Sequence, residues 1–262
     1  MLHLRPFALA VAAATLVLAA CQGQTAPTLT DPREILAAAV RSTAEQSSVR
    51  IDAIVDGRIA IDLLGSGGTP IELTGTSASA DIDLKNGDAR TTFSVPALIG
   101  LTGELIAVDG TTYLRTTRTG PLYQTQPIDP SAPDASTDPS TILDGLTDLL
   151  AQPGLDPVKG DDVPCGSSTC YTVTIELTPA ELAGLGGGLD LPTGLPIPIP
   201  DLAGASVDLT IRVTKDTTRL AGLAAIADLG DAGDLDVDIV FSKWGEAVSI
   251  TTPPADQVAP AG

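Results

Sequence analysis

The sequence predicts an α+β fold: a single, strongly curved antiparallel β-sheet with two to three amphipathic helices gathered on its concave face. Three observations predict it. Apolar residues alternate at period two through much of the chain, as at Val49, Ile51, Ala53 and Val55 and again at Val207, Leu209, Ile211 and Val213, which is the pattern of strands buried on one face. Short Gly- and Asn-containing turn signals join successive runs, as hairpins require and parallel crossovers do not. Helical patterns fall in a few separate places instead of alternating with the strands.

The first helix opens at Asp31-Pro32-Arg33-Glu34, where Asp31 can cap, Pro32 suits the first turn and Glu34 stands at a capping-box position. It is expected to run to about Gln46 with Ile35, Leu36, Ala39 and Val40 as its apolar stripe. A long strand follows from Val49 through Gly57 to Leu63, then a turn over 65–69 and a second strand through Ile71, Leu73, Ala78, Ala80, Ile82 and Leu84. Asn86-Gly87 is a type I′ hairpin signal, and residues 89–95 should pair back. Residues 101–108 and 111–117 form the next hairpin around Asp109-Gly110.

Residues 118–139 are rich in Pro, Asp, Ser and Thr and read as an irregular excursion. Asp138-Pro139 then opens a second helix with Ile142, Leu143, Leu146, Leu149 and Leu150 on one apolar face. Tyr171, Val173, Ile175 and Leu177 make an alternating strand, and Thr178-Pro179-Ala180-Glu181 has the capping-box spacing for a short third helix. Between 189 and 202, Pro192, Pro196, Pro198 and Pro200 among leucines and isoleucines specify an extended apolar loop. This loop either packs on the core or forms an apolar rim. A final meander covers 207–250, with a frayed tail from Pro253.

Residues 1–20 form an export signal: Arg5, an apolar run from Phe7 to Ala20, then Leu18-Ala19-Ala20-Cys21 at its close. That run is too short to span a bilayer. Small residues directly before a cysteine resemble the bacterial lipobox, which implies acylation of Cys21. Two or three acyl chains, at roughly 0.8 kcal/mol per buried methylene, hold a domain on a membrane where one chain would exchange. The expected organisation is therefore signal 1–20, flexible tether 21–30, one domain over 31–252 and a disordered tail over 253–262. The expected location is the extracytoplasmic face of the cell membrane.

The chain has 33 acidic and 14 basic residues, a net charge of −19 that becomes 13 − 33 = −20 when Arg5 leaves with the signal. Nucleic acid is excluded as a partner, because phosphate neutralisation needs clustered Lys and Arg. Anionic headgroups are repelled too, so attachment must come from lipid. Aromatics are only 3% of residues, so the interior is built from Ala, Val, Leu and Ile, which leaves an apolar cavity easier to keep open.

Cys165 and Cys170 lie on an exported chain in Cys165-Gly166-Ser167-Ser168-Thr169-Cys170, and a disulfide is the natural reading. A zinc site needs more thiolate or imidazole ligands than this pair, a catalytic thiol needs a base such as histidine, and the one histidine, His3, is lost with the signal. The same loss removes a Ser-His-Asp set. Asp81 and Asp83 alternate with Ile82 and Leu84, which places them on the wet face of a strand. Asp231, Asp234, Asp236 and Asp238 lack the EF-hand spacing. No metal, no cofactor and no enzyme activity are expected. A carboxylate hydrolase would need two acids facing each other across a cleft.

Val237-Asp238-Ile239-Val240-Phe241-Ser242-Lys243-Trp244-Gly245-Glu246, with Val248-Ser249-Ile250 and Pro253-Pro254 after it, resembles the C-terminal signature of the LppX/LprA/LprF/LprG lipoproteins of the mycobacterial cell envelope. Weaker similarity covers 35–59 and the Val108-Asp109-Gly110 to Tyr113-Leu114 hairpin. Residues 118–139, the cysteine pair and the proline-rich stretch depart from the pattern. The resemblance implies a half-barrel sheet whose concave face, with its helices, encloses an apolar cavity for acyl chains of envelope lipids or glycolipids. Trp244 is read as covering the end of the core, with ligand contact as the second reading.

The expected function is a membrane-anchored carrier that binds acyl lipid and moves it across the envelope, with a membrane lipid exporter as a further partner. The cavity residues are expected to be Val95, Leu98, Ile99 and Leu101 near one edge, Ile142, Leu146 and Leu149 on the second helix, and Leu209, Ile211, Val213, Ile239 and Phe241 opposite. The alternative is an adhesion or scaffold lipoprotein with a filled core and no ligand.

Overall fold

A computed structural model describes residues 28–61, 69–127, 155–179, 181 and 204–260. Among them one helix runs beside an open antiparallel sheet of 13 strands. The helix, α1, spans Pro32–Ala44, capped by Asp31, whose carboxylate accepts the Arg33 and Glu34 amides. The strands are β1 Ser48–Ile61, β2 Thr69–Glu72, β3 Thr76–Asp83, β4 Asp88–Val95, β5 Leu101–Val108, β6 Thr111–Thr116, β7 Gln124–Pro127, β8 Val158–Lys159, β9 Val163–Cys165, β10 Ser168–Leu177, β11 Ser206–Thr214, β12 Leu220–Asp228 and β13 Gly233–Ser242.

The order across the sheet is β7-β6-β5-β4-β3-β1-β13-β12-β11-β10-β8, with β2 beside β1 and β9 beside β10. All pairings are antiparallel: β3 reaches β1 past β2, β10 reaches β8 past β9, and at the centre β1 pairs with β13 and joins the two halves of the sheet. The sheet is open rather than closed. The expected second helix over 139–150 and the proline-rich stretch lie outside the described residues. Of the third helix only the start is described: the Glu181 carboxylate accepts the Thr178 amide at 2.7 Å, and the Glu181 amide returns to the Thr178 hydroxyl, which forms the capping box.

The core has two parts on one face of the sheet, and a smaller cluster of Ile106, Val108 and Tyr123, with Tyr113, Ile250 and Val258 against it, lies on the other. Beneath α1, Ile35, Leu36 and Ala39 close onto Tyr171, Val173, Ile175, Ile211, Val213 and Leu220. Ile35, Leu36, Val173, Ile211 and Val213 are fully buried, and burial at this level stabilises by about 1.5–3 kcal/mol per large aliphatic side chain. Val49, Ile82 and Ala89 form the second part, and Phe241 and Trp244 pack against both. The Trp244 indole donates to the Leu220 carbonyl at 2.8 Å and its ring stacks on Phe241. The turn around it is fastened to β1, where the Gly245 amide donates to the Ser48 carbonyl and the Ser48 hydroxyl to the Glu246 carbonyl.

Several turns differ from expectation for local reasons. At Asn86-Gly87 only Gly87 has positive φ, because the Asp83 carboxylate captures the Lys85 and Asn86 amides and stretches the connection over 84–87. The two-residue turn with both φ positive is Asp109-Gly110 instead. Residues 71–84 are two strands, not one, since the chain turns at 73–75 and the Leu73 carbonyl accepts the Thr76 amide. Part of the 118–139 excursion is ordered as β7, paired with β6. The C-terminal segment is also fixed as far as residue 260: Tyr123 and Val258 form a parallel bridge in which the Tyr123 amide donates to the Gln257 carbonyl and the Ala259 amide to the Tyr123 carbonyl.

Candidate functional site

Strand register carries the apolar residues into rows across one face of the sheet. One row runs Val173, Ile211, Leu223, Ile239, Ala53, Ala78 and Phe93, each the direct partner of the next. The adjacent row runs Ile175, Leu209, Ala225, Val237 and Val55. Burial changes along these rows. Val173, Ile175 and Ile211 are fully buried, because α1 lies over β10 and β11. From β12 through β4 these two rows are only half-buried, between the buried Leu220 at one end of β12 and the buried Val49, Ile82 and Ala89 further along β1, β3 and β4, and much of them is alanine: Ala53, Ala78 and Ala225. Small side chains set between larger ones make a shallow aliphatic surface, able to take up apolar matter by burial alone.

This half-buried surface is the candidate site. Of the residues expected to line it, Leu209, Ile239 and Phe241 share the face and are half-buried, and Leu209 and Phe241 also pack against the core under α1. Ile211 and Val213 share the face too, but they are filled core beneath α1. Val95 and Leu101 are direct partners at the far end of β4 and β5, both half-buried on this face. Leu98 is half-buried in the turn between them. Ile99 does not face inward: it stands at the tip of that turn, 91% exposed. The reason is that the strands end at Val95 and Leu101, so alternation no longer governs where the side chain points. Ile142, Leu146, Leu149 and Cys21 lie outside the described residues.

The face also carries Ala53, Val55, Ala78, Phe93, Ala225 and Val237, which sequence reasoning does not single out as cavity residues. The period-two runs contained these positions, and the rows identify them. Two clefts lie elsewhere among the described residues. One, of about 710 Å³, is lined by Tyr113, Thr125, Pro253, Pro254 and Val258, and another, of about 570 Å³, by the turns at 86–88 and 107–110.

The opposite face of the sheet is charged and hydrogen-bonded. Buried Glu104 accepts from Arg90 at 2.7 Å, Arg115 at 2.7 Å and the Tyr123 hydroxyl at 2.6 Å. Burial pushes its carboxyl pKa up, but the Tyr123 hydroxyl and the Arg90 and Arg115 guanidiniums outweigh it, leaving the group below the usual carboxylate range. Burial and then Glu104 raise the Tyr123 phenol. Asp52, bonded by the Ser79 hydroxyl and by Arg50, is also held low. In the acidic run after Asp231, Asp234 pairs with Arg58 and Asp238 with Arg212. These carboxylates are engaged by cations on the outer surface, and no group of acids, His or Cys among the described residues is arranged to hold a metal ion.

Cys165 and Cys170 form a disulfide that closes the β9–β10 hairpin. No helix among the described residues is long and apolar enough to cross a membrane.

No protein-family model matches the chain, and no curated protein sequence matches it. Solved structures do. LprF from Mycobacterium bovis aligns with a TM-score of 0.54 at 21% identity, over 85% of this chain and 96% of that one. The Mycobacterium tuberculosis lipoprotein LppX aligns with a TM-score of 0.51 at 16% identity, over 85% of this chain and all of that one, 100%. This chain has the fold of LprF and LppX. Both names belong to the family that the Ser-Lys-Trp-Gly-Glu turn at 242–246 resembles. In this fold the turn does a definite job, since it fastens β13 to β1 and lays Trp244 across the junction of the two core clusters.

Proposed function

We propose that this chain is a non-enzymatic lipoprotein, anchored through Cys21 on the extracytoplasmic face of the membrane, that binds acyl chains of envelope lipids or glycolipids and carries them across the envelope. The observation that carries the reading is the unevenly covered apolar face: closed by α1 over β10 and β11, and half-buried and alanine-rich along the two rows that cross from Leu223 and Ala225 in β12 to Phe93 in β4. In the full chain this face forms one wall of the acyl-binding cavity. Each methylene buried there contributes about 0.8 kcal/mol, so a long chain is held firmly while chains of similar length are poorly distinguished. The likeness to a mycobacterial lipoprotein, LppX, supports the anchored location. An exporter in the membrane is the natural source of the cargo.

The test is to purify the full chain from membranes and identify co-extracted lipid by mass spectrometry. Stoichiometric acyl lipid is expected. Lipid-free protein that also fails to take up a fluorescent fatty acid rejects the carrier and leaves a scaffold lipoprotein.

A further inference from the structure

Residues 96–100 join β4 to β5 at the end of the hairpin remote from the Asn86-Gly87 turn. The segment Val95-Pro96-Ala97-Leu98-Ile99-Gly100-Leu101 contains no charged or polar side chain, in a chain whose surface is otherwise rich in carboxylates. At its tip Ile99 is, among the described residues, the most exposed of the large apolar side chains, at 91%, and has φ +59. A β-branched residue in the left-handed region is an outlier, and such strain persists only where the surrounding structure enforces it. Here the turn does so: the Leu98 amide donates to the Val95 carbonyl at 3.1 Å and the Gly100 amide to the Pro96 carbonyl at 2.9 Å. Ile99 is thus held outward by a bonded turn.

We propose that this tip inserts into the apolar edge of a lipid bilayer and is the route by which an acyl chain passes between the membrane and the apolar face. The inference rests on the carrier reading for its cargo, and on three features of the molecule for its occupant. Val95 and Leu101 are cross-strand partners on the apolar face, so the tip continues that surface beyond the rim of the sheet. A net charge of −19 denies the protein electrostatic attraction to anionic headgroups, so close approach needs an apolar contact. A single uncharged turn is far smaller than the roughly 1,200–2,000 Å² that a stable protein interface buries, whereas shallow insertion of one aliphatic residue needs no more than this.

Ile99→Trp reports insertion directly, with the wild-type signal from Trp244 as background and Ile226→Trp, on the opposite face, as control. On adding phosphatidylcholine vesicles containing brominated acyl chains, the emission gained by Ile99→Trp should shift to the blue and be quenched, while that of Ile226→Trp should not. Ile99→Asp should slow transfer of a fluorescent fatty acid between vesicles by about tenfold or more, since the tip would no longer partition, with the amount bound at equilibrium from water unchanged. An unquenched Ile99→Trp, or an unchanged transfer rate in Ile99→Asp, overturns the proposal. So does a vesicle-free dimer of the wild type that Ile99→Asp dissolves, which would make a second copy the occupant. Quenching without any fatty-acid binding by the wild type keeps insertion and rejects the carrier reading; binding without quenching does the reverse.

Discussion

Glu104 is a buried carboxylate surrounded by three donors, and its neighbours decide how its charge is used. Arg115 also lies over the Tyr123 ring, 4.5 Å from its centre, so the acid, the phenol and the cation form one unit that holds β5, β6 and residue 123 together. The native carboxyl ionises at lower pH than the unfolded one. Its contribution is therefore fully present above the unfolded value, near 4.3 for a free Glu, and is lost as pH falls through the folded value. Glu104→Gln should cost about 1–3 kcal/mol at neutral pH, and its deficit against the wild type should vanish in urea melts taken below the folded pKa. Gly57 sets a different limit. Its φ is +112, a Cβ there would run into the Asp234 carbonyl, and one at Gly233 would run into the Arg58 carbonyl. The β1–β13 junction thus closes only with glycine on both sides, and Gly57→Ala should cost about 3 kcal/mol in thermal unfolding.

Elements were legible where a single rule governed them. α1 follows from Asp31-Pro32 and its apolar stripe, and the meander from β10 to β13 follows from alternation. Where two rules competed, the sequence was ambiguous. Asn86-Gly87 signals a tight turn, but Asp83 offers its neighbours a side-chain acceptor and a longer loop results. β7 carries Gln124, Thr125 and Gln126 with no apolar alternation, since its order comes from pairing with β6 and not from burial. β8 has two residues, too few for any period. The disulfide was legible from spacing and export context together. Because it closes a loop of sequence separation 5, its loss in Cys165→Ser/Cys170→Ser should cost about 2 kcal/mol by loop entropy, seen as a lower melting temperature that reductant reproduces in the wild type.

At the scale of the whole molecule the candidate site is a property of register more than of any residue. Period two placed Leu209, Ile211, Val213, Ile239 and Phe241 on one face. It did not reveal which of them the helix would cover, because that depends on α1 crossing β10 and β11 instead of β13. Nor did it show that alanines would occupy the open part. The alanines yield a prediction: Ala225→Phe adds a ring to the half-buried rows without disturbing the core under α1, so melting should change by only a few degrees. Fatty-acid binding should fall by about tenfold, the equivalent of 1.4 kcal/mol, when measured by displacement of a fluorescent probe.

Among the described residues the open sheet ends in two margins, at β7 and at β8, and a bare margin invites strand addition by a neighbouring chain. At one margin residues 257–259 take up the backbone N–H and C=O of Tyr123, next to β7. At the other, β8 is two residues long with Lys159 in it, and β9 is pinned by its cystine. Crowded molecules would therefore find little backbone on which to polymerise. Removing residues 246–262 would uncover one of these margins, and self-association should follow.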